Sequence, residues 1–342
     1  MPIEEFETHF LEYVGLITTL NCPIECAHCI LEAGPHRSEV ISQENAFSWI
    51  SQIAEYHNGA VKGIILTGGE PFWDLVHLHN IIKFSNEKGL NCSVVTNAFW
   101  AKTDVDAKKI LLSLLPLDFI GISTDIYHQE SIPVLNIKNA IIAAKAYDIP
   151  FEIIVCTADK KDPRYLDIIK ELSVFTDQDD IITAIIFPVG RAASTNLSKK
   201  FQYCEAVPEF ACNAASIPVI FPDGNVFGCI GPLITLPPFN PMLLGNINSE
   251  SLNDIFDRAQ KNPVLHAMRI WGPKKIVEIL EENGMGEYLP KMFVSNSLCS
   301  ACYSIFKAPE NCRYFEKEMR NPKFVEYVSE GRKYYLDEYK SK

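Results

Sequence analysis

Six apolar runs rich in β-branched residues recur along the first half of the chain, and their rhythm sets the narrowest limits on its fold. The runs are Tyr13–Leu20, Gly63–Thr67, Cys92–Thr96, Phe119–Ser123, Phe151–Thr157 and Ile181–Phe187. After the first, their starts fall about 30 residues apart, the length of one strand–helix unit. Helices are expected in the gaps: Gln43–Tyr56 behind Ser42 as N-cap, and Val76–Lys88 ahead of Gly89 as the residue past the helix end. Asp104–Leu114, Ile137–Tyr147 and Arg164–Val174 fill the others. Such alternation implies a parallel sheet. Six units are too few to close an eight-stranded barrel. The expected fold is therefore α/β, an open (βα)6 partial TIM barrel.

Barrels of this type place chemistry at the carboxyl ends of their strands. Five segments fall there: the loop after the first run, Gly68-Gly69-Glu70-Pro71 after the second, and Thr96-Asn97 after the third. Ser123-Thr124-Asp125 closes the fourth and Pro188-Val189-Gly190-Arg191 follows the sixth. The first loop carries Cys22-Pro23-Ile24-Glu25-Cys26-Ala27-His28-Cys29, three thiols with no further cysteine until Cys92. Thiolates bind iron–sulfur clusters, and a complete [4Fe–4S] site takes four, so three leave one iron open. Three cysteines with His28 would also make a zinc set, and the octapeptide alone leaves both readings open. The paired glycines allow a sharp turn and a close backbone approach. The Glu70 carboxylate beside them can accept a charge-assisted hydrogen bond from an ammonium group.

Together, C-x3-C-x2-C and the GGEP segment that follows a strand resemble the radical S-adenosylmethionine (SAM) enzymes. The resemblance implies that Cys22, Cys26 and Cys29 bind a [4Fe–4S] cluster whose open iron chelates S-adenosyl-L-methionine. It implies that Gly68, Gly69, Glu70 and Pro71 hold the SAM amino group, and that a 5′-deoxyadenosyl radical then takes a hydrogen atom from the substrate. Asn97, Ser123 and Asp125 stand where the family uses polar strand ends toward SAM; as residues alone they are equally turn or cap formers. Gly190 would let the backbone approach adenine. Arg191 would pair with a carboxylate of SAM or substrate, or form a surface salt bridge. The resemblance also implies an electron donor such as flavodoxin or ferredoxin.

A second cysteine group follows. Cys212 and Cys229 bracket a Pro222-Asp223-Gly224-Asn225 turn flanked by Val219–Phe221 and Val226-Phe227, which reads as a β-hairpin. Cys299-Ser300-Ala301-Cys302 comes far downstream. Four thiols suit zinc or a fully ligated cluster. The spacing, with Gly245-Asn246-Ile247 and Ser251-Leu252 between, resembles the SPASM/twitch extension of the same family. The match is partial, since Cys312 alone follows Cys302. It implies the twitch form, one auxiliary [4Fe–4S] on Cys212, Cys229, Cys299 and Cys302, with Cys204 or Cys312 as a replacement ligand.

The domains expected are a partial barrel over 1–195, a twitch-like cluster domain over 196–312 and a charged helix over 313–342. Short helices are expected at Ser251–Ala259 and Lys274–Glu282, whereas four prolines between 232 and 241 interrupt any helix there. Apolar residues make up 47% of 342, ample for a core, and no run reaches the ~18 apolar residues of a membrane span. The formal charge of −12 argues against binding nucleic acid by its backbone. Eleven cysteines without a signal-peptide pattern fit metal ligation in a reducing cytoplasm. The first strand begins near residue 13, which leaves no room ahead of it for a leader-peptide-binding domain.

Cys92 and Cys156 lie in strands and read first as buried small hydrophobes. Cys156, near a strand's carboxyl end, could instead return a hydrogen atom to a carbon radical. His128, in the loop after the fourth strand, is a solvated loop residue or a substrate contact. Phe72, Trp73, Phe99 and Trp100 wall a chamber or simply pack. The expected function is radical SAM modification of a ribosomally made peptide. A small-molecule dehydrogenase and a non-catalytic, zinc-stabilised binding protein are the rivals.

Overall fold

The computed structural model describes residues 10–338 apart from 196, 198 and 199. They form two compact units: Gly15–Glu55 with Lys62–Phe201, and 10–14 with Tyr56–Val61 and 202–338.

The first unit is the strand–helix repeat. Its strands are β1 (Tyr13–Thr19), β2 (Gly63–Gly68), β3 (Asn91–Thr96), β4 (Phe119–Ser123), β5 (Phe151–Thr157) and β6 (Ile181–Ile185). Its helices are α1 (Gln43–Glu55), α2 (Leu75–Glu87), α3 (Asp104–Ser113), α4 (Val134–Ala146), α5 (Pro163–Leu172) and the single turn α6 (Arg191–Ser194). The strands run in the order β1-β2-β3-β4-β5-β6, with parallel pairing from β2 through β6 and β6 at the end of the row. The fold is thus the expected open, parallel α/β sheet. Helix starts are fixed by side chains that satisfy otherwise orphaned N–H groups: Ser42 Oγ accepts from Asn45 N, Asp74 from His77 N and Thr103 from Asp106 N. Gly89 takes the left-handed conformation past α2, at φ +79°.

The strands bury their two faces unequally. Ile64, Leu66, Cys92, Val94, Ile120, Ile122, Ile153 and Val155 are buried, and Cys92 lies against Ile82 of α2. On the other face Ile65, Val95, Ser123, Ile154, Cys156 and Ala184 are only half-buried and Ile182 is exposed. Helices such as α2 cover one face of the sheet, and the other face is left partly open.

The second unit contains β7 (Tyr203–Cys204), β8 (Val219–Ile220), β9 (Asn225–Phe227), β10 (Leu243–Asn246), α7 (Leu252–Lys261), α8 (Pro263–Trp271), α9 (Pro273–Glu282), β11 (Phe293–Val294), α10 (Leu298–Phe306), α11 (Pro309–Glu318) and α12 (Pro322–Leu336). The expected hairpin is β8–β9, and β10 joins it antiparallel. Sequence reading missed α8, which starts at Pro263 because Asn262 caps the Val264 and Leu265 N–H groups. It also joined α11 and α12 into one helix. Asn321 and Pro322 separate them, with Asn321 capping Lys323 N.

Candidate functional site

The loop after β1 is held by its own backbone and by two neighbouring segments. Cys22 N donates to Gly34 O at 3.2 Å and Cys29 N to Cys26 O at 3.1 Å. Arg191 clamps it from α6: its backbone N donates to Cys29 O at 3.0 Å, and its guanidinium donates to Cys26 O and Ala33 O, both at 2.7 Å. The arginine therefore directs its guanidinium at loop carbonyls, and it forms no salt bridge among the described residues. Gly190, at φ +59°, is needed for the same approach, since a Cβ there would sit 2.7 Å from Cys29 O and Ile30 O.

The GGEP segment meets this loop from β2. Gly69 N donates to Thr19 O at 2.7 Å and Glu70 N to Asn21 O at 2.8 Å. Side chains at Gly68 and Gly69 would collide with the carbonyls of Thr19 and Asn21. The glycines let the two loops touch backbone to backbone. Glu70 then turns inward and is fully buried. Its carboxylate accepts from Phe72 N at 3.1 Å, Thr96 Oγ1 at 2.8 Å and Asn97 N at 2.8 Å. Burial pushes its pKa up to about 7 against the pull of these donors. Pro71 is buried in the turn that follows, and Trp100 stacks on Phe72 at 4.4 Å while donating to Thr96 Oγ1. Asn97 Nδ2 points at Cys22 Sγ, 3.6 Å away. Burial carries that thiol up to about 12, with Glu70, Cys26 and Cys29 adding their negative fields.

Asp125, after β4, is buried and its oxygens are occupied: Oδ1 accepts from Tyr127 N and His128 N, and Oδ2 accepts from His128 Nδ1 at 2.9 Å. His28 Nε2 lies 3.5 Å from the same oxygen. Burial opposes ionisation of Asp125, yet His128 brings its pKa down to about 2. Burial likewise opposes charge on His128, and Asp125 together with a hydrogen bond to Cys26 holds it well above the ordinary value. His28 is pulled down to about 4 by burial, and its Nδ1 is buried without a hydrogen-bond partner. Cys156 completes this knot, its thiol pushed up by burial and by Asp125. The carboxylate assigned from sequence to SAM is thus engaged in orienting His128 across from His28. Ser123 ends β4, half-buried on the open face.

In the second unit Cys212 opens a short turn, Asn213–Ser216, and Cys229 follows β9 with its sulfur accepting from Gly231 N at 3.2 Å. Cys299 and Cys302 lie one turn apart on α10. Burial raises all four thiols, Cys229 and Cys299 to about 12, and Cys302 feels the fields of the other three. Cys302 also feels Cys312, whose sulfur donates to Phe306 O at 3.2 Å. Cys204 is half-buried on β7, its thiol donating to Ala206 O.

All eleven cysteines are free. Two sulfurs on one zinc lie no further apart than about 4.6 Å, twice the zinc–sulfur bond. Among the described residues no three cysteine sulfurs lie mutually within 4.8 Å; the trio of ligand atoms that does is His28, Asp125 and His128. Both sets hold their thiols in each other's electrostatic field.

Residues 16–155 match the Radical SAM superfamily. The "Putative peptide biosynthesis protein YydG" of Bacillus subtilis (strain 168) is 26% identical over 306 residues, spanning 86% of this chain and 92% of that protein. Two crystal structures align remotely. BtrN in complex with AdoMet and 2-DOIA covers 77% of this chain and 88% of its own at 11% identity and TM-score 0.39. Methylornithine synthase (PylB) covers 54% and 56% at 15% identity and TM-score 0.42. Over residues 16–155 the chain is thus similar to the radical SAM enzymes, the family its cysteine and GGEP motifs resemble. That likeness implies a [4Fe–4S] cluster and SAM. No helix among the described residues is long and apolar enough to cross a membrane.

Proposed function

We propose that this enzyme modifies a ribosomally made peptide by abstracting a hydrogen atom from it. In this reading Cys22, Cys26 and Cys29 hold the catalytic cluster, which when bound supplies the electron that cleaves SAM. The observation that carries the reading is the junction of three strand ends. Gly69 and Glu70 donate to the β1 loop, Glu70 ties the GGEP turn to Thr96 and Asn97, and Asn97 faces Cys22. These bonds fix the three-thiol loop before any ligand arrives.

Gly68, Gly69 and Pro71 shape the SAM side of that junction, and Glu70 stiffens it with one acceptor position left for the amino group. Asn97 and Ser123 line the same rim, Gly190 brings its strand end onto the cysteine loop, and Asp125 acts through His128. The half-open strand face below, with Ile154, Ile182 and Ala184, is the substrate chamber. Cys212, Cys229, Cys299 and Cys302 hold an auxiliary [4Fe–4S] cluster that is fully ligated and so transfers electrons or anchors substrate. A flavodoxin- or ferredoxin-type protein of the cytoplasm supplies the reducing electron. The peptide class is supported by the relative's description, which spans most of both chains.

The test is anaerobic turnover with SAM, dithionite and a synthetic copy of the short peptide encoded nearest the gene. Release of 5′-deoxyadenosine that rises with peptide, together with a mass or isotope change in the peptide, is expected. An unchanged peptide alongside intact SAM cleavage would overturn the peptide reading and leave the radical SAM assignment standing.

A further inference from the structure

The turn that opens with Cys212 is gripped by α8 at both ends. Cys212 N donates to Met268 O at 3.0 Å, and Ser216 Oγ, at the turn's far end, accepts from Arg269 Nε at 2.9 Å. Gly272, left-handed at φ +73°, lets the carbonyl of Phe210 pack where a side chain would stand. The segment 210–216 therefore lies along one helix, and its placement depends on how Arg269 is held.

Arg269 is held by Glu338. Asp337, at φ +51°, turns the chain back after α12, so that Glu338 comes under Arg332 and Arg269. Its Oε1 accepts from Arg269 Nη2 at 2.5 Å, and its Oε2 accepts from Arg269 Nη1 at 3.2 Å and Arg332 Nε at 2.7 Å. The side chains of Arg269, Arg332 and Glu338 are 8%, 4% and 7% exposed. Arg269 Nη1 also donates to His266 Nδ1 at 2.9 Å, which leaves the proton of a neutral imidazole on Nε2, donated to Gln260 O. Phe10 lies under the guanidinium, 4.6 Å from its carbon. Arg269 thus has every edge engaged, and one carboxylate balances two buried guanidinium groups. Removing a single partner from such a group leaves buried charge uncompensated, the costly way to break it.

We propose that Glu338, through Arg269 and Ser216, is a positioning residue for Cys212, fixing where that thiol stands in the four-cysteine set. The inference rests on the reading of Cys212 as an auxiliary-cluster ligand. The chain of contacts runs from Glu338 to Arg269, to Ser216, and along one turn to Cys212. None of these residues is itself a ligand, so their effect reaches the metal only through placement. Cys229, Cys299 and Cys302 stand on other segments and are outside this chain.

The test uses the full chain. In the metal-free, anaerobic protein, iodoacetamide labelling of each cysteine is followed by mass spectrometry for wild type, Glu338→Ala, Glu338→Gln and Ser216→Ala. Labelling of Cys212 should speed up about tenfold in Glu338→Ala, roughly what the loss of one charge-assisted bond corresponds to. It should speed up less in Glu338→Gln and in Ser216→Ala, with Cys229, Cys299 and Cys302 unchanged. After reconstitution the same variants should lose auxiliary iron and its EPR signal selectively. Equal acceleration at all four cysteines, or none at Cys212, would overturn the proposal. Should Glu338→Ala fail to fold, Glu338→Gln decides in its place, and labelling of Cys212 at the wild-type rate in that variant would overturn the proposal. Wild-type protein that binds only about four irons would refute the auxiliary cluster; the labelling pattern would still decide whether Glu338 positions Cys212.

Discussion

Around Cys22, Cys26 and Cys29 polar side chains join a backbone hydrogen bond from Ile24 to Cys22. Asn97 faces one sulfur, His128 hydrogen-bonds another, and Arg191 holds the loop carbonyls between them. Around Cys212, Cys229, Cys299 and Cys302 the contacts to sulfur come from backbone amides such as Gly231 N, and the nearest side-chain network, at Arg269, stands one turn away. The difference follows from the thiol count. A site with three thiols must also address a ligand that is not protein, and needs oriented dipoles and charges to do so. A site with four saturates its metal and needs only to be dry and rigid. Hydrogen bonds to cluster sulfurs also tune reduction potential, so on the proposed ligand assignments the first set would be adjusted by its neighbours and the second simply held.

The sharpest way to break this contrast is to remove each set in turn. Replacing Cys22, Cys26 and Cys29 with alanine should abolish 5′-deoxyadenosine release under dithionite. The double change at Cys212 and Cys229 should leave SAM cleavage measurable, stop product formation and cut iron from about eight to about four per chain. Cleavage that survives the triple change, or vanishes equally in both variants, would mean that the sets do not divide the work in this manner.

A smaller effect is expected at Glu70. Alanine there strands the N–H groups of Phe72 and Asn97 and the hydroxyl of Thr96. Each buried donor left without a partner costs about 1–3 kcal/mol. Denaturant unfolding of the metal-free protein should therefore show a loss of about 3 kcal/mol for Glu70→Ala. Glu70→Gln should lose less, because it keeps one acceptor. Iron loss should be confined to the rim set, since Glu70 touches the β1 loop and Asn97 and belongs to the first unit. Wild-type stability in Glu70→Ala would show that the junction of strand ends does not depend on this carboxylate.

The parts of the molecule that were legible in sequence are those governed by local pattern. The strand starts were read within one residue because β-branched runs end at turn formers, and the barrel followed from their spacing. β6 stops two residues early because Pro188 and the Gly190 approach to the cysteine loop draw the chain away. α8 was missed because its signal is a cap, Asn262-Pro263, inside a stretch that otherwise looked irregular. At the site, the cysteines and glycines were visible as a motif, but the role of the glycines was not. They approach the carbonyls of Thr19 and Asn21, and nothing local says which backbone a glycine will meet. The knot of His28, Asp125 and His128 needs the loops of β1 and β4 side by side. Its members were each in view, His28 inside the cysteine motif and His128 three residues after Asp125, yet β1 and β4 have two strands between them in the sheet and only the course of their loops in space brings them together.

The smallest effect concerns the outer brace of the cysteine loop. Glu39 O accepts from Leu20 N at 2.8 Å, and Asn21 Nδ2 donates to Arg37 O at 3.0 Å, so residues 37–39 support the loop's entry. Arg37 in turn donates to Leu31 O and Glu32 O, and its guanidinium pairs with the Glu39 carboxylate at 2.7 Å. That hydrogen bond with Arg37 is the main reason the Glu39 pKa lies at about 2, below its usual 4.5. A carboxyl with a depressed folded pKa stabilises the fold above its unfolded value and loses that contribution as pH falls through the folded one. The gain is therefore complete above about pH 4.5 and gone below about pH 2. Because the pair is solvent-screened, with Glu39 half-exposed, the gain is about 0–1 kcal/mol. Glu39→Gln should cost that much in urea unfolding of the metal-free protein at neutral pH, and nothing near pH 2. A penalty of equal size at both pH values would mean that Glu39 supports the loop by shape rather than charge. The rim would then resemble the second set, held by packing and backbone alone.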